Sequence, residues 1–132
     1  MIGSPAELAD QLVLEIVVRE MDRSLAFYTA LGFTLERRDA GFAALRWGSR
    51  WLFLDERADL PAAAGPSRAN VRVLTPDVDR VWALAQSLGA AIERPIADRS
   101  YGLRDFTVLD PDGFGVRFAT PLASPANSRA VQ

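Results

Sequence analysis

Apolar and polar positions along this chain switch between a two-residue and a 3.6-residue period, and the same order of switches occurs twice. Leu12–Val18 (LVLEIVV) is an almost unbroken apolar run interrupted by Glu15, the pattern of a strand covered on both faces. Met21, Leu25, Tyr28 and Leu31 then fall on one helical stripe, with Asp22 expected as N-cap and Gly32 as the left-handed residue that stops the helix. Three strands are predicted next, at Phe33–Arg38, Phe42–Trp47 and Arg50–Glu56, with turns at Ala40-Gly41 and Gly48-Ser49. Arg57–Ser67, with Pro61, Gly65 and Pro66, reads as a linker. Beyond it come a strand at Ala69–Leu74 and a helix capped by Thr75, with Pro76 in its first turn, running to Leu88. Val78, Val81, Trp82, Ala85 and Leu88 line the buried face of that helix. A short strand at Ala91–Glu93 is expected to end by Pro95, at a sheet edge. Tyr101–Leu109 and Phe114–Thr120 form a hairpin across Asp110–Gly113, a turn read as structural.

The second half repeats the first in residues as well as in pattern. Asp22, Arg23, Ala26, Leu31 and Gly32 recur as Asp79, Arg80, Ala83, Leu88 and Gly89, each 57 positions further on. A period this long, present only twice, indicates a duplicated supersecondary unit rather than a solenoid. The unit reads β-α-β-β-β. The expected organisation is one α+β domain over residues 1–132, with modules at 12–56 and 68–120, a linker at 57–67 and a tail at 121–132. Met1–Gln11 is a lead-in without useful period.

Composition removes several functions. There is no cysteine and no histidine, which excludes disulfides, thiolate chemistry, the commonest general base and the commonest metal ligand. A net charge of −2, with no basic run, argues against nucleic acid as a partner. No apolar stretch approaches the ~20 residues of a membrane span, and no secretory signal pattern opens the chain. A cytoplasmic protein with no membrane partner is expected.

Arg19–Ser24, Phe27-Tyr28, Leu31-Gly32-Phe33, Tyr101–Phe106 and Asp110–Gly113, in this order on a duplicated unit, resemble the vicinal-oxygen-chelate superfamily of glyoxalases, ring-cleaving dioxygenases, fosfomycin-resistance enzymes and bleomycin-resistance proteins. The resemblance implies two βαβββ modules curved around a concave groove, and a homodimer. It also places the metal-ligand positions of the superfamily's enzymes at Val13, Leu52, Asn70 and Arg117. None of the four side chains suits a divalent cation, and arginine repels one. No metal, no cofactor and no catalytic residue is therefore expected, because enediolate or alkoxide chemistry in this superfamily leans on the Lewis acidity of the ion. The metal-free bleomycin-resistance proteins, which sequester a drug, are the better match, and Arg38–Phe42 resembles one of their segments. A metal-dependent lyase, transferase or dioxygenase, and a dimeric interaction module without ligand, are the alternatives.

Strand alternation then proposes a groove. If Val13 faces it, so do Glu15 and Val17, with Asn70 and Arg72 as their counterparts in the second module. A hairpin with a bulge at Gly113 pairs Val108 with Val116 and Thr107 with Arg117, which adds Arg117, Asp105 and Leu103 to the same face. A two-residue turn at Gly48-Ser49 adds Trp47, Leu45 and Leu52, while Trp51 and Trp82 are read as core. The candidate ligand-binding residues are Glu15, Phe42, Trp47, Leu52, Asn70, Arg72, Tyr101, Asp105 and Arg117. Core packing for Trp47, a surface position for Tyr101 and a self-satisfied ion pair for Glu15 and Arg72 are the competing readings. Two arginines facing the groove favour a planar aromatic or partly anionic ligand over a large cationic drug.

Overall fold

The computed structural model describes residues 12–123; the lead-in and most of the tail (124–132) lie outside the described residues. The chain forms two compact units that part between Pro61 and Ala62. In the first, β1 (Leu14–Val18) is followed by α1 (Met21–Leu31), β2 (Thr34–Asp39), β3 (Phe42–Trp47) and β4 (Arg50–Glu56). In the second, β5 (Asn70–Leu74) is followed by α2 (Val78–Ser87), β6 (Ile92–Asp98), β7 (Leu103–Leu109) and β8 (Gly115–Pro121). Each unit is a four-stranded mixed sheet with one helix, ordered β1-β4-β3-β2 and β5-β8-β7-β6. The first strand of each runs parallel to the last, and the remaining pairs are antiparallel. The fold is α+β.

Alternation gives each sheet a sealed face and an open one. Ile16, Val18, Ala43, Leu45, Leu52 and Leu54 are buried on the sealed face of the first sheet, with Met21, Leu25, Tyr28 and Leu31 of α1. The second unit seals Val73, Phe106, Val108, Val116 and Phe118 with Val78, Val81 and Ala85 of α2. Trp82 meets Phe106 edge-on at 5.1 Å, and Phe106 stacks on Phe118 at 5.6 Å. Leu88 departs from its expected place: α2 ends at Ser87, and Leu88 is 44% exposed.

Both helices begin otherwise than local sequence suggests. Asp22 lies inside the first turn of α1, and the N-cap, Glu20, makes no side-chain cap bond. The Met21 N–H instead donates to the Glu56 carboxylate at 2.7 Å, from the far end of β4. In the second unit Asp77, not Thr75, is the N-cap and accepts from the Arg80 N–H at 3.2 Å. Meanwhile the Val78 N–H donates to the Thr120 hydroxyl at 2.9 Å, near the end of β8. Met21 and Val78 are 57 positions apart, so the repeat preserves a cap delivered through tertiary structure.

β6 continues through Pro95 instead of stopping before it. As an edge strand it tolerates the missing N–H, and its register shifts between Ile92 and Arg94 and again between Arg94 and Ala97.

Candidate functional site

The register sets the correspondence between the two open faces. Glu15 pairs with Phe53, and Arg72, its counterpart, pairs with Arg117, so Phe53 is equivalent to Arg117. One step along each hairpin, Ala44 pairs with Phe53 and Thr107 with Arg117. Phe42 is therefore the counterpart of Asp105.

In the second unit this face is built around one buried carboxylate. Asp105 is fully buried and accepts hydrogen bonds from Arg99 Nε at 2.8 Å, Tyr101 Oη at 2.6 Å, and Arg117 Nε and Nη2 at 3.0 and 2.7 Å. Arg99 also donates to the carbonyls of Pro95 and Asp105, which fixes it under the bulged edge of β6. The Tyr101 hydroxyl accepts from Arg117 Nη2 at 2.5 Å and Arg94 Nη1 at 3.4 Å, and the Arg117 guanidinium lies 5.1 Å from the Tyr101 ring centre. Burial alone would push the Asp105 carboxyl up. The donors from Tyr101, Arg99 and Arg117 outweigh that, and the group is held below the usual carboxylate range. For Arg117, burial works downward and the bonds to Asp105 and Tyr101 win, holding its pKa above the ordinary value.

The open face of the first sheet is aromatic. Phe42 and Phe53 meet edge-on at 5.2 Å, and Trp51 lies 6.2 Å from Phe53; all three are partly exposed. Arg46 stacks over Trp51 at 4.0 Å and Arg37 lies over Phe42 at 5.3 Å. Glu15 is exposed on the same face.

Seven of the nine candidate residues lie on or beside the two open faces: Glu15 and Phe42 on the first, and Asn70, Arg72, Tyr101, Asp105 and Arg117 on the second. Asn70 is exposed beside Gly115, and Arg72 is half-buried beside Arg117. Leu52 and Trp47 are corrections. Leu52 is buried under α1, and Trp47 packs on Phe33 at 5.0 Å and against Gly32, where an added Cβ would come within 3.0 Å of its ring. Taking the turn glycines Gly48 and Gly113 as equivalent makes Leu52 the counterpart of Arg117 and carries Trp47 to the same face. The first hairpin turns in two residues, between Trp47 and Arg50, whereas the second needs five between Leu109 and Gly115. That difference slips the alignment by one residue and swaps faces. Trp51 is the converse case, lying on the open face instead of in the core. Arg94 was missed because two register shifts in β6 make its alternation unreadable, and Arg99 because it lies in the loop after β6, where no period applies. Phe53 was hidden by the same slip as Leu52.

The glyoxalase/bleomycin resistance protein/dioxygenase superfamily model matches residues 10–118. The chain belongs to this superfamily. An uncharacterised protein of Mycolicibacterium smegmatis is 35% identical over 118 residues, covering 87% of this chain and 98% of that one. The crystal structure of TioX from Micromonospora sp. ML1 is similar at 28% identity, with a TM-score of 0.68, 84% of this chain and 98% of that chain covered. A bleomycin-binding protein solved in complex with bleomycin is similar at 25% identity, with a TM-score of 0.68 and coverages of 85% and 98%.

The register revises the positions that the superfamily resemblance assigns to a metal. They are Val13, Asn70, Arg117 and, in place of Leu52, Phe53: an alkyl group, a neutral amide, a fixed cation and a ring. Among the described residues no group of three or more His, Cys, Asp or Glu could hold an ion. This donor set does not fit a divalent cation. Among the described residues no helix is long and apolar enough to cross a membrane.

Proposed function

We propose that this superfamily member is a small-molecule binding protein that sequesters a planar aromatic compound, such as an antibiotic, without a metal. The observation that carries this reading is the partly exposed shelf of Phe42, Trp51 and Phe53 with guanidinium groups over two of its rings. A shelf of π faces with flat cationic neighbours binds planar ligands by stacking, and such contacts strengthen as water leaves. The likeness to a bleomycin-binding protein supports the same class of activity. In this reading the protein is a cytoplasmic homodimer with its ligand in a groove at the dimer interface.

The test is a thermal-shift and calorimetric screen of aromatic antibiotics, with and without divalent metals. Binding raises the melting temperature by mass action, with one or two ligands per dimer and no product. Phe53→Ala is expected to weaken binding at least tenfold. Turnover that stops on chelation would replace this reading with a metal-dependent lyase, transferase or dioxygenase. A folded dimer that binds none of the compounds would leave an interaction module.

A further inference from the structure

The second sheet carries an arginine that its own architecture does not use. Arg72 and Arg117 are register partners on neighbouring parallel strands, half-buried on the same face. Strands sit about 4.8 Å apart, and like charges directly opposite one another destabilise a sheet. Arg117 is compensated, because its Nε and Nη2 donate to Asp105 and Nη2 also reaches Tyr101. Arg72 is not: among the described residues no hydrogen bond, ion pair or ring contact engages its side chain. Arg94 touches this cluster only through the Tyr101 hydroxyl. Asp105, the one carboxylate bonded into the cluster, already takes four donor contacts from Arg99, Tyr101 and Arg117. Arg99 and Arg117 thus share one carboxylate, Arg94 reaches it only through Tyr101, and Arg72 stands beside Arg117 with no carboxylate bonded to it.

We propose that this face is a receptor for a small oxyanion, a carboxylate or phosphate group, gripped by Arg72 and by Arg117 Nη1, which takes no part in the bonds to Asp105 and Tyr101. Asp105, Tyr101 and Arg99 act beneath it as positioning residues, holding the Arg117 guanidinium flat and fully charged. Guanidinium forks match the paired oxygens of carboxylates and phosphates, and a fork held by a buried network loses little entropy on binding. The site lies within the second unit and does not depend on the aromatic shelf for its geometry. It narrows the ligand class all the same: a compound bound here carries an anionic group.

Titrations with benzoate, inorganic phosphate and neutral benzamide in low-salt chloride buffer test it, by calorimetry and melting temperature, on the wild type and Arg72→Gln. The expected result is one site per chain for benzoate or phosphate, at least tenfold tighter than for benzamide and weakened by added salt. Whichever of the two anions binds tighter identifies the group as carboxylate or phosphate. Arg72→Gln should weaken anion binding at least tenfold while leaving the melting temperature of the free protein unchanged or raised, since a repulsion is removed. Benzamide binding as well as benzoate, anion binding indifferent to Arg72, no anion binding at 10 mM (on the order of 2–3 kcal/mol of association), or a lowered free-protein melting temperature in Arg72→Gln would each overturn the proposal. Anion binding in a protein that ignores neutral aromatic compounds would uphold this site and remove the aromatic reading instead.

Discussion

The two units are the same device on one side and different devices on the other. Under the helices they correspond residue for residue: Ala43, Leu45, Leu52 and Leu54 match Phe106, Val108, Val116 and Phe118, all buried. Even the helix caps correspond, Glu56 on Met21 and Thr120 on Val78. On the open faces the diagonal pair Phe42–Phe53, rings 5.2 Å apart, becomes Asp105–Arg117, an ion pair at 2.7 Å. The sealed side has to exclude water in both copies and so stays apolar. The open side is under no such demand, and it carries an aromatic shelf in one unit and an arginine cluster in the other.

The largest expected effect breaks the charged half of this comparison. Asp105→Ala strands Arg99 and Arg117, whose side chains are 16% and 21% exposed, and should cost about 3–5 kcal/mol in urea unfolding. Phe42→Ala, the equivalent change in the first unit, removes a half-buried ring and should cost about 2 kcal/mol, half of a full core truncation. Equal losses would mean that the two faces do not differ in kind.

Acid sharpens the same contrast. The folded pKa of Asp105 is depressed below an unfolded value near about 3.9, so its stabilisation is complete above that pH and lost as pH falls through the lower folded value. Asp105→Asn should therefore flatten the stability profile below about pH 4. A profile unchanged in that variant would show that the cluster does not favour the ionised carboxylate.

The caps should give smaller, matched effects. Glu56→Ala and Thr120→Val each leave the first N–H of a helix without its partner, at about 1 kcal/mol apiece. A silent change at either end would break the symmetry between the units. The smallest effect is a gain. Ser24 is buried with its hydroxyl unpartnered, at the position where the second unit has Val81. Ser24→Ala should stabilise by roughly 0.5–1 kcal/mol, read as a higher urea midpoint.

The repeat, its spacing, the helix stripes and the register of the second hairpin were all legible in the sequence. Thr107 pairs with Arg117 and Val108 with Val116, as the bulged Asp110–Gly113 turn implies. Helix starts were not legible, because Glu56 and Thr120 reach Met21 and Val78 across 35 and 42 residues. Nor was the aromatic shelf: two hairpin turns of unequal length made Leu52 and Phe53 exchange roles.

Periodicity and duplication thus determined the two modules, because apolar spacing at 2 and 3.6 residues dictates which side of each element meets the core. What only the folded chain decided is where the polar groups find their partners. Asp105 gathers Arg99 and Tyr101 from the loop between β6 and β7 and Arg117 from a neighbouring strand, leaving Arg72 unpaired among the described residues. Hydrogen bonds and charges act over a few ångströms, and here that proximity also needs the irregular register of β6 and the path of the loop after it, which no local pattern encodes.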